Sequence, residues 1–199
     1  VPYFKDTQAM RGTEIDTLWN DEYGNKQLTE DKKIYTGSIL EHLLIQQLTA
    51  FYEVGDHNVY RLRGADWNDA LDMAAEKGES VAFTCAYAGN LRILASLLHL
   101  MESATGGNSI PLLEEIQILL NDQVDMFDNV SQKKEILAEY SKSCRHNLSG
   151  KQKEYSLSAL AMNLLQKASW ITEHIRSQEW INLNDTEGWY NSYYDNHGR

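Results

Sequence analysis

The sequence predicts an all-α chain, on three observations. Only 2 of its 199 residues are proline, whereas Leu, Ala, Glu and Gln are abundant. Apolar residues recur three and four positions apart over several long stretches. Ser and Thr stand where those stretches begin, as helix caps do.

Residues 1–35 carry no sustained period. Val1-Pro2-Tyr3-Phe4 is apolar and Trp19 is expected to pack against something. A helix follows from Thr36. Ser38 and Glu41 have the spacing of a capping box, and Ile39, Leu40, Leu43, Leu44, Leu48, Phe51 and Tyr52 form one apolar face up to Gly55. Residues 56–72 read as a loop. Ser80 is placed to cap a long helix whose apolar positions are Val81, Phe83, Ala86, Tyr87, Leu91, Leu94, Leu97, Leu98 and Met101. Pro111 suits a helix start, which gives a predicted helix over 110–126. Ser131 with Glu135 opens another, to about Cys144, and residues 146–150 read as a loop. Residues 154–177 read as a last long helix. The tail from Trp180 is rich in aromatics and amides and has no helical period. Helices of this kind are expected to stack as antiparallel pairs within a single domain, residues 1–199.

The formal net charge is −11, with 18 Lys and Arg against 29 Asp and Glu. Phosphate backbones need clustered cations, so a nucleic-acid partner is not expected. No stretch reads as a membrane segment, and no membrane contact is expected of this segment. Cys85 and Cys144 make no disulfide framework. Cys85 reads as a buried free thiol and a cytoplasmic location as the default. The six histidines never pair at metal-binding spacing, and Asp122, Asp125 and Asp128 lack the glycine and closing Glu of an EF-hand, so no metal is expected.

The densest chemistry lies in Arg63-Gly64-Ala65-Asp66-Trp67-Asn68-Asp69, with Lys77-Gly78-Glu79-Ser80 behind it. Carboxylates and amides bind sugar hydroxyls, and an indole stacks on the apolar face of a pyranose. The same residues also suit a helix start, with Asp66 or Asn68 as cap and Trp67 in the core. Glu79 reads either as a substrate-side carboxylate or as an acid that complements a helix N-terminus. Gly188-Trp189-Tyr190-Asn191-Ser192-Tyr193-Tyr194-Asp195 reads either as a carbohydrate loop or as a plug for the end of a helical layer.

Asp66-Trp67-Asn68-Asp69 followed by Lys77-Gly78-Glu79-Ser80 resembles the signature of the glycoside phosphorylases of glycoside hydrolase family 94, which act on cellobiose, laminaribiose, chitobiose and 1,2-β-oligoglucans. Val1-Pro2-Tyr3, Glu41-His42 and the aromatic stretch 188–195 agree with the family in order. The resemblance implies part of an (α/α)6 barrel, excised from a longer chain. It implies inverting phosphorolysis of a β-glucoside or β-glucan oligosaccharide, giving an α-sugar 1-phosphate. Asp69 takes the place of the general acid. Asp66, Trp67, Arg63, Glu79, Tyr190, Tyr194 and Asp195 are the expected substrate-binding residues. Inorganic phosphate is a co-substrate and no cofactor is implied. The phosphate-binding residues are expected downstream of Arg199. Family members are often dimers, which makes a homodimer the corresponding expectation for the full-length protein. Two alternatives stand beside this reading: an inverting hydrolase on the same fold, and a non-catalytic helical module that binds carbohydrate or a partner.

Overall fold

The computed structural model describes residues 23–62, 74 and 76–199. The loop carrying Arg63, Asp66, Trp67 and Asp69 lies outside the described residues, as do Val1-Pro2-Tyr3 and Trp19.

Four α-helices dominate: α1 (Ile39–Tyr52), α2 (Val81–Thr105), α3 (Val130–Cys144) and α4 (Leu157–Gln178). Each begins at a side-chain cap that accepts a backbone N–H three residues on: Ser38 from Glu41, Ser80 from Phe83, Asn129 from Gln132 and Ser156 from Ala159. Helix α2 stops at Gly106, whose φ of 66° places it in the left-handed region that glycine adopts without strain.

The all-α expectation holds only in the coarse sense, because short strands join the helices. Leu28–Thr29 (β1) pairs in parallel with Asn147–Leu148 (β5). Tyr60–Arg61 (β2), Glu79–Ser80 (β3) and Tyr193–Tyr194 (β9) make a three-stranded sheet. Ser109–Leu113 (β4) pairs with Gln152–Ser156 (β6), and Trp180–Asn182 (β7) with Gly188–Tyr190 (β8), both antiparallel.

The predicted helix over 110–126 is therefore corrected. Residues 109–113 are a strand, followed by 3-10 turns at Glu114–Leu120 and Val124–Met126. Pro111 disfavours the α conformation at Ile110, and Pro111 sits in a two-stranded ribbon, where its missing N–H costs little. Residues 154–156 likewise belong to β6, and Ser156 rather than an earlier residue starts α4. Asn129, not Ser131, caps α3. The predicted loop 146–150 contains β5, and the tail forms a hairpin plus β9. Ser38 caps α1, but the Glu41 side chain turns inward: it accepts from Tyr35 Oη at 3.0 Å and from Leu113 N at 2.6 Å. Cys85 is exposed, not buried.

The β4–β6 ribbon explains how α2 and α4 meet. Chain leaves α2 into β4 and enters α4 from β6, so antiparallel ribbon pairing forces the two helices to run antiparallel. Leu157 N donates to Asn108 O (2.9 Å) at one end of the pair. Midway, Arg92 donates to Thr172 Oγ1 (2.6 Å) and Ala168 O (3.3 Å). Leu91, Leu94 and Leu98 of α2 and Leu160, Leu164 and Ile171 of α4 are buried there with Leu44, Leu48 and Phe51 of α1. By length and composition alone α2 would suffice to cross a bilayer. Along α2, Ile93, Leu97 and Leu100 are exposed, as are Met162 and Leu165 along α4.

Two lysines are buried within this core. Lys133 Nζ lies 3.6 Å from the Trp170 ring centre and 4.2 Å from that of Phe51, and donates to Asn58 Oδ1 (2.9 Å). Lys167 Nζ donates to Asn121 O and Asn163 Oδ1, both at 2.7 Å. Phe51 holds the cluster together, edge-on to Tyr52, Phe127 and Trp170 at 5.1, 5.0 and 5.8 Å. Desolvation drives the Lys133 ammonium well below its ordinary value, with Lys167 adding repulsion. Desolvation likewise lowers Lys167, from 10.5 to about 7, partly opposed by Asp122.

A folded-state value below the unfolded one means that the unfolded chain binds more protons between those two values, so stability rises with pH across that window. For Lys167 the window opens near pH 7. Thermal and urea unfolding should show a gain of about 2 kcal/mol between pH 7 and pH 9 from this group. Lys167→Met should flatten the rise by about half or more; a flat wild-type profile would contradict the assignment.

Candidate functional site

The sheet β2–β3–β9 brings together segments far apart in the chain. Tyr60 pairs with Ser80 and Arg61 with Glu79, while Glu79 pairs with Tyr194 and Ser80 with Tyr193. Leu62 N donates to Gly78 O (2.8 Å), so the two ends of the Asp66–Asp69 loop are tied side by side. Val81 N donates to Ser192 O (3.0 Å), which anchors the aromatic tail on the N-terminus of α2.

Glu79 is 2% exposed and fully engaged. Its carboxylate accepts the His57 backbone N–H at 3.1 and 3.2 Å and faces His57 Nδ1 at 2.8 Å. It also stands at the N-terminus of α2, where a negative charge is favoured. Gly55 makes the approach possible, since a Cβ there would overlap the Glu79 carboxyl group. A carboxylate only accepts, so Nδ1 carries a proton and donates it to Glu79. His57 stacks on Tyr194 with centroids 3.6 Å apart and planes 3° from parallel.

Next to this stack is a cleft of about 610 Å³. The turn Asp56-His57-Asn58, the last turns of α4 and Tyr194 line it. Asn58 turns the chain at φ 62°, a left-handed conformation that Asn tolerates, and its side chain joins Lys133 to Phe127 O (3.0 Å). His174 Nε2 lies 3.0 Å from His57 O, and its ring stacks against Trp170 with centroids 4.8 Å apart. Burial holds the His174 imidazolium below its ordinary value, so the ring is neutral at pH 7. Tyr194 Oη donates to Glu179 Oε2 at 2.9 Å.

Of the residues expected from sequence to bind substrate, Glu79 and Tyr194 are brought together as cross-strand partners, and Tyr194 reaches the cleft. Tyr190 lies on the β7–β8 hairpin, about half exposed and edge-on to Trp180 at 5.0 Å. Asp195 closes the final turn by accepting from His197 N (2.8 Å) and Arg199 N (2.9 Å). Neither Tyr190 nor Asp195 lines the cleft. Arg63, Asp66, Trp67 and Asp69 lie outside the described residues. His57, His174 and Glu179 escaped the sequence reading. Each looks like an ordinary surface residue until helix ends and turns are placed in space. The one signal was local: Gly55-Asp56-His57-Asn58 is a turn string lying just before the motif.

Among the described residues, no three His, Cys, Asp or Glu side chains converge to hold a metal ion. No protein-family model matches this chain, and no curated protein matches it either.

Gly55→Ala should expel the Glu79 carboxylate and cost about 2 kcal/mol or more in urea unfolding, the range for disrupting a buried charge with its hydrogen bonds. Gly89→Ala, inside α2 with open space around it, should instead stabilise by roughly 0.5–1 kcal/mol. Equal effects at the two glycines would remove the special role given to Gly55.

Proposed function

We propose that the chain is part of an inverting glycoside phosphorylase acting on β-glucosides or β-glucan oligosaccharides. Asp69 protonates the glycosidic oxygen while inorganic phosphate attacks the anomeric carbon from the opposite face, and an α-sugar 1-phosphate leaves with inversion. Asp66 and Trp67 position the sugar, with Arg63 beside them. The observation that carries the reading is the convergence on one three-stranded sheet of the two flanks of the Asp66–Asp69 loop and the aromatic tail. A resemblance resting on separated motifs requires those motifs to meet, and here their described flanks do so at one helix end.

The antiparallel α2–α4 pair supports placing the chain in an (α/α)6 barrel. So do the apolar side chains left bare on it, Ile93, Leu97, Leu100, Met162 and Leu165, since such a barrel packs each helix pair against the next. In this role Glu79 acts through His57 and the sheet, because both its oxygens are occupied.

The assay is phosphate release in the synthetic direction by the full-length polypeptide, with α-glucose 1-phosphate and a panel of acceptors including glucose, cellobiose and sophorose. One acceptor should release phosphate, and Asp69→Asn should lower the rate by 10²-fold or more, the scale of a lost general acid. Phosphate-independent cleavage of a β-glucan, with no release from any acceptor, would contradict the proposal and favour a hydrolase.

A further inference from the structure

The exit stem of the Asp66–Asp69 loop is gripped from the C-terminal tail. Asn196 Oδ1 accepts two successive backbone N–H groups, from Glu76 at 2.9 Å and from Lys77 at 2.8 Å. Donors and acceptor lie 120 and 119 residues apart, so the contact is tertiary and owes nothing to local turn propensity. One amide oxygen has two lone pairs, and here both go to neighbouring peptide units. Two such bonds fix the rotation of the stem as well as its place. Directly behind Lys77 the chain turns tightly: Gly78 N donates to Ala74 O (2.8 Å), and a Cβ on Gly78 would overlap Ala74. The stem then enters β3 at Glu79.

The tail holds its own place without Asn196. Strand β9 pairs with β3, and the Tyr194 ring is stacked on His57 and bonded to Glu179. Asp195 then folds residues 195–199 into a turn. Its N–H donates to Arg199 O (2.9 Å), its Oδ1 accepts from His197 N and Arg199 N, and Gly198 takes a φ of 73°. The turn rests against His57, whose Cε1 would lie 3.3 Å from a Cβ on Gly198. The stem is held less firmly. Among the described residues, the other hydrogen bonds from residues 76–78 to the sheet are Leu62 N to Gly78 O (2.8 Å) and Arg61 Nη2 to Glu76 O (3.1 Å). Restraint therefore runs from the tail to the stem.

We infer that Asn196 is a positioning residue: its side-chain oxygen fixes the exit stem Glu76–Gly78 against the sheet, and through it the approach of Asp69, seven residues before Glu76, to substrate. The effect on Asp69 rests on the phosphorylase reading; the placement of the stem does not. Asn196 acts through the backbone of Glu76 and Lys77, by an acceptor oxygen. Aspartate presents the same acceptor at the same place, whereas alanine presents none. A displacement of about 1 Å in a reacting group costs on the order of 10²-fold in rate, and it weighs on turnover more than on binding.

Hydrogen–deuterium exchange of the full-length polypeptide, resolved to the Glu76 and Lys77 amides, compares wild type, Asn196→Ala and Asn196→Asp. The phosphorolysis assay gives kcat and KM for the same three proteins. Asn196→Ala should speed exchange at these two amides about tenfold, the effect of losing a hydrogen bond of ordinary strength, and leave the amides of α4 unchanged. It should lower kcat by about tenfold or more while KM moves less than about threefold. Asn196→Asp should keep exchange and kcat within about threefold of wild type, because the acceptor remains. Unchanged exchange in Asn196→Ala, an equal loss in the alanine and aspartate variants, or faster exchange with full kcat would overturn the inference. A wild type that releases no phosphate from any acceptor would sink the phosphorylase reading instead. The exchange rates then decide alone: faster exchange in Asn196→Ala, spared in Asn196→Asp, upholds the placement of the stem by Asn196.

Discussion

The buried carboxylate of Glu79 is the constraint on which this end of the molecule depends. A charge 2% exposed survives only with its acceptors filled, and here a single residue, His57, fills them with a backbone N–H and a ring nitrogen. That requirement dictates Gly55, which leaves room for the carboxyl group, and the tight turn at Asn58 that presents His57. It also places the His57 ring flat against Tyr194, the residue paired with Glu79 in the sheet. One electrostatic demand thus joins the turn after α1, the strand before α2 and the C-terminal tail.

Below that turn, the same loop reaches into the core through Asn58 and Lys133. Lys133 and Lys167 are costly residues to bury, and each is satisfied by amide or carbonyl oxygens and surrounded by aromatic rings. Phe51 and Trp170 serve both layers: they pack the helices and enclose Lys133. The cleft above therefore has a floor held by specific polar bonds rather than by apolar packing alone, which fixes the positions of His174 and Trp170.

The helices most legible in the sequence were those whose caps and apolar period agreed, α1 and α2 above all. Ser38 and Ser80 cap as their positions predict, and Leu44, Leu48, Leu91 and Leu98 are buried as their spacing requires, whereas Ile39, Leu43, Phe83 and Leu97, expected on the same faces, are exposed because these helices bury a narrower stripe. Residues 110–126 misled because Ile110, Leu112, Leu113, Ile116 and Leu119 fit a helical period and a buried ribbon with 3-10 turns equally well. Pairing with residues 152–156 decided between them, and a partner some forty residues away has no local signature. Glu41 shows the same limit: a capping-box glutamate by spacing, it was drawn inward by Leu113 N and Tyr35. Around the three-stranded sheet, Tyr194 and Glu79 stood out in the sequence because a motif marked them. His57, His174 and Glu179 did not, because their roles arise from helix ends and turns that only folding brings together.

The arrangement around Glu79 makes a definite statement about one proton. Long-range nitrogen–proton correlation spectra of the imidazoles at neutral pH measure it directly. The His57 ring should carry a proton on Nδ1, with a downfield, slowly exchanging resonance that disappears in Gly55→Ala. A His57 ring protonated on Nε2 alone, exchanging as fast as an exposed histidine, would contradict the account of how this end of the protein is held together.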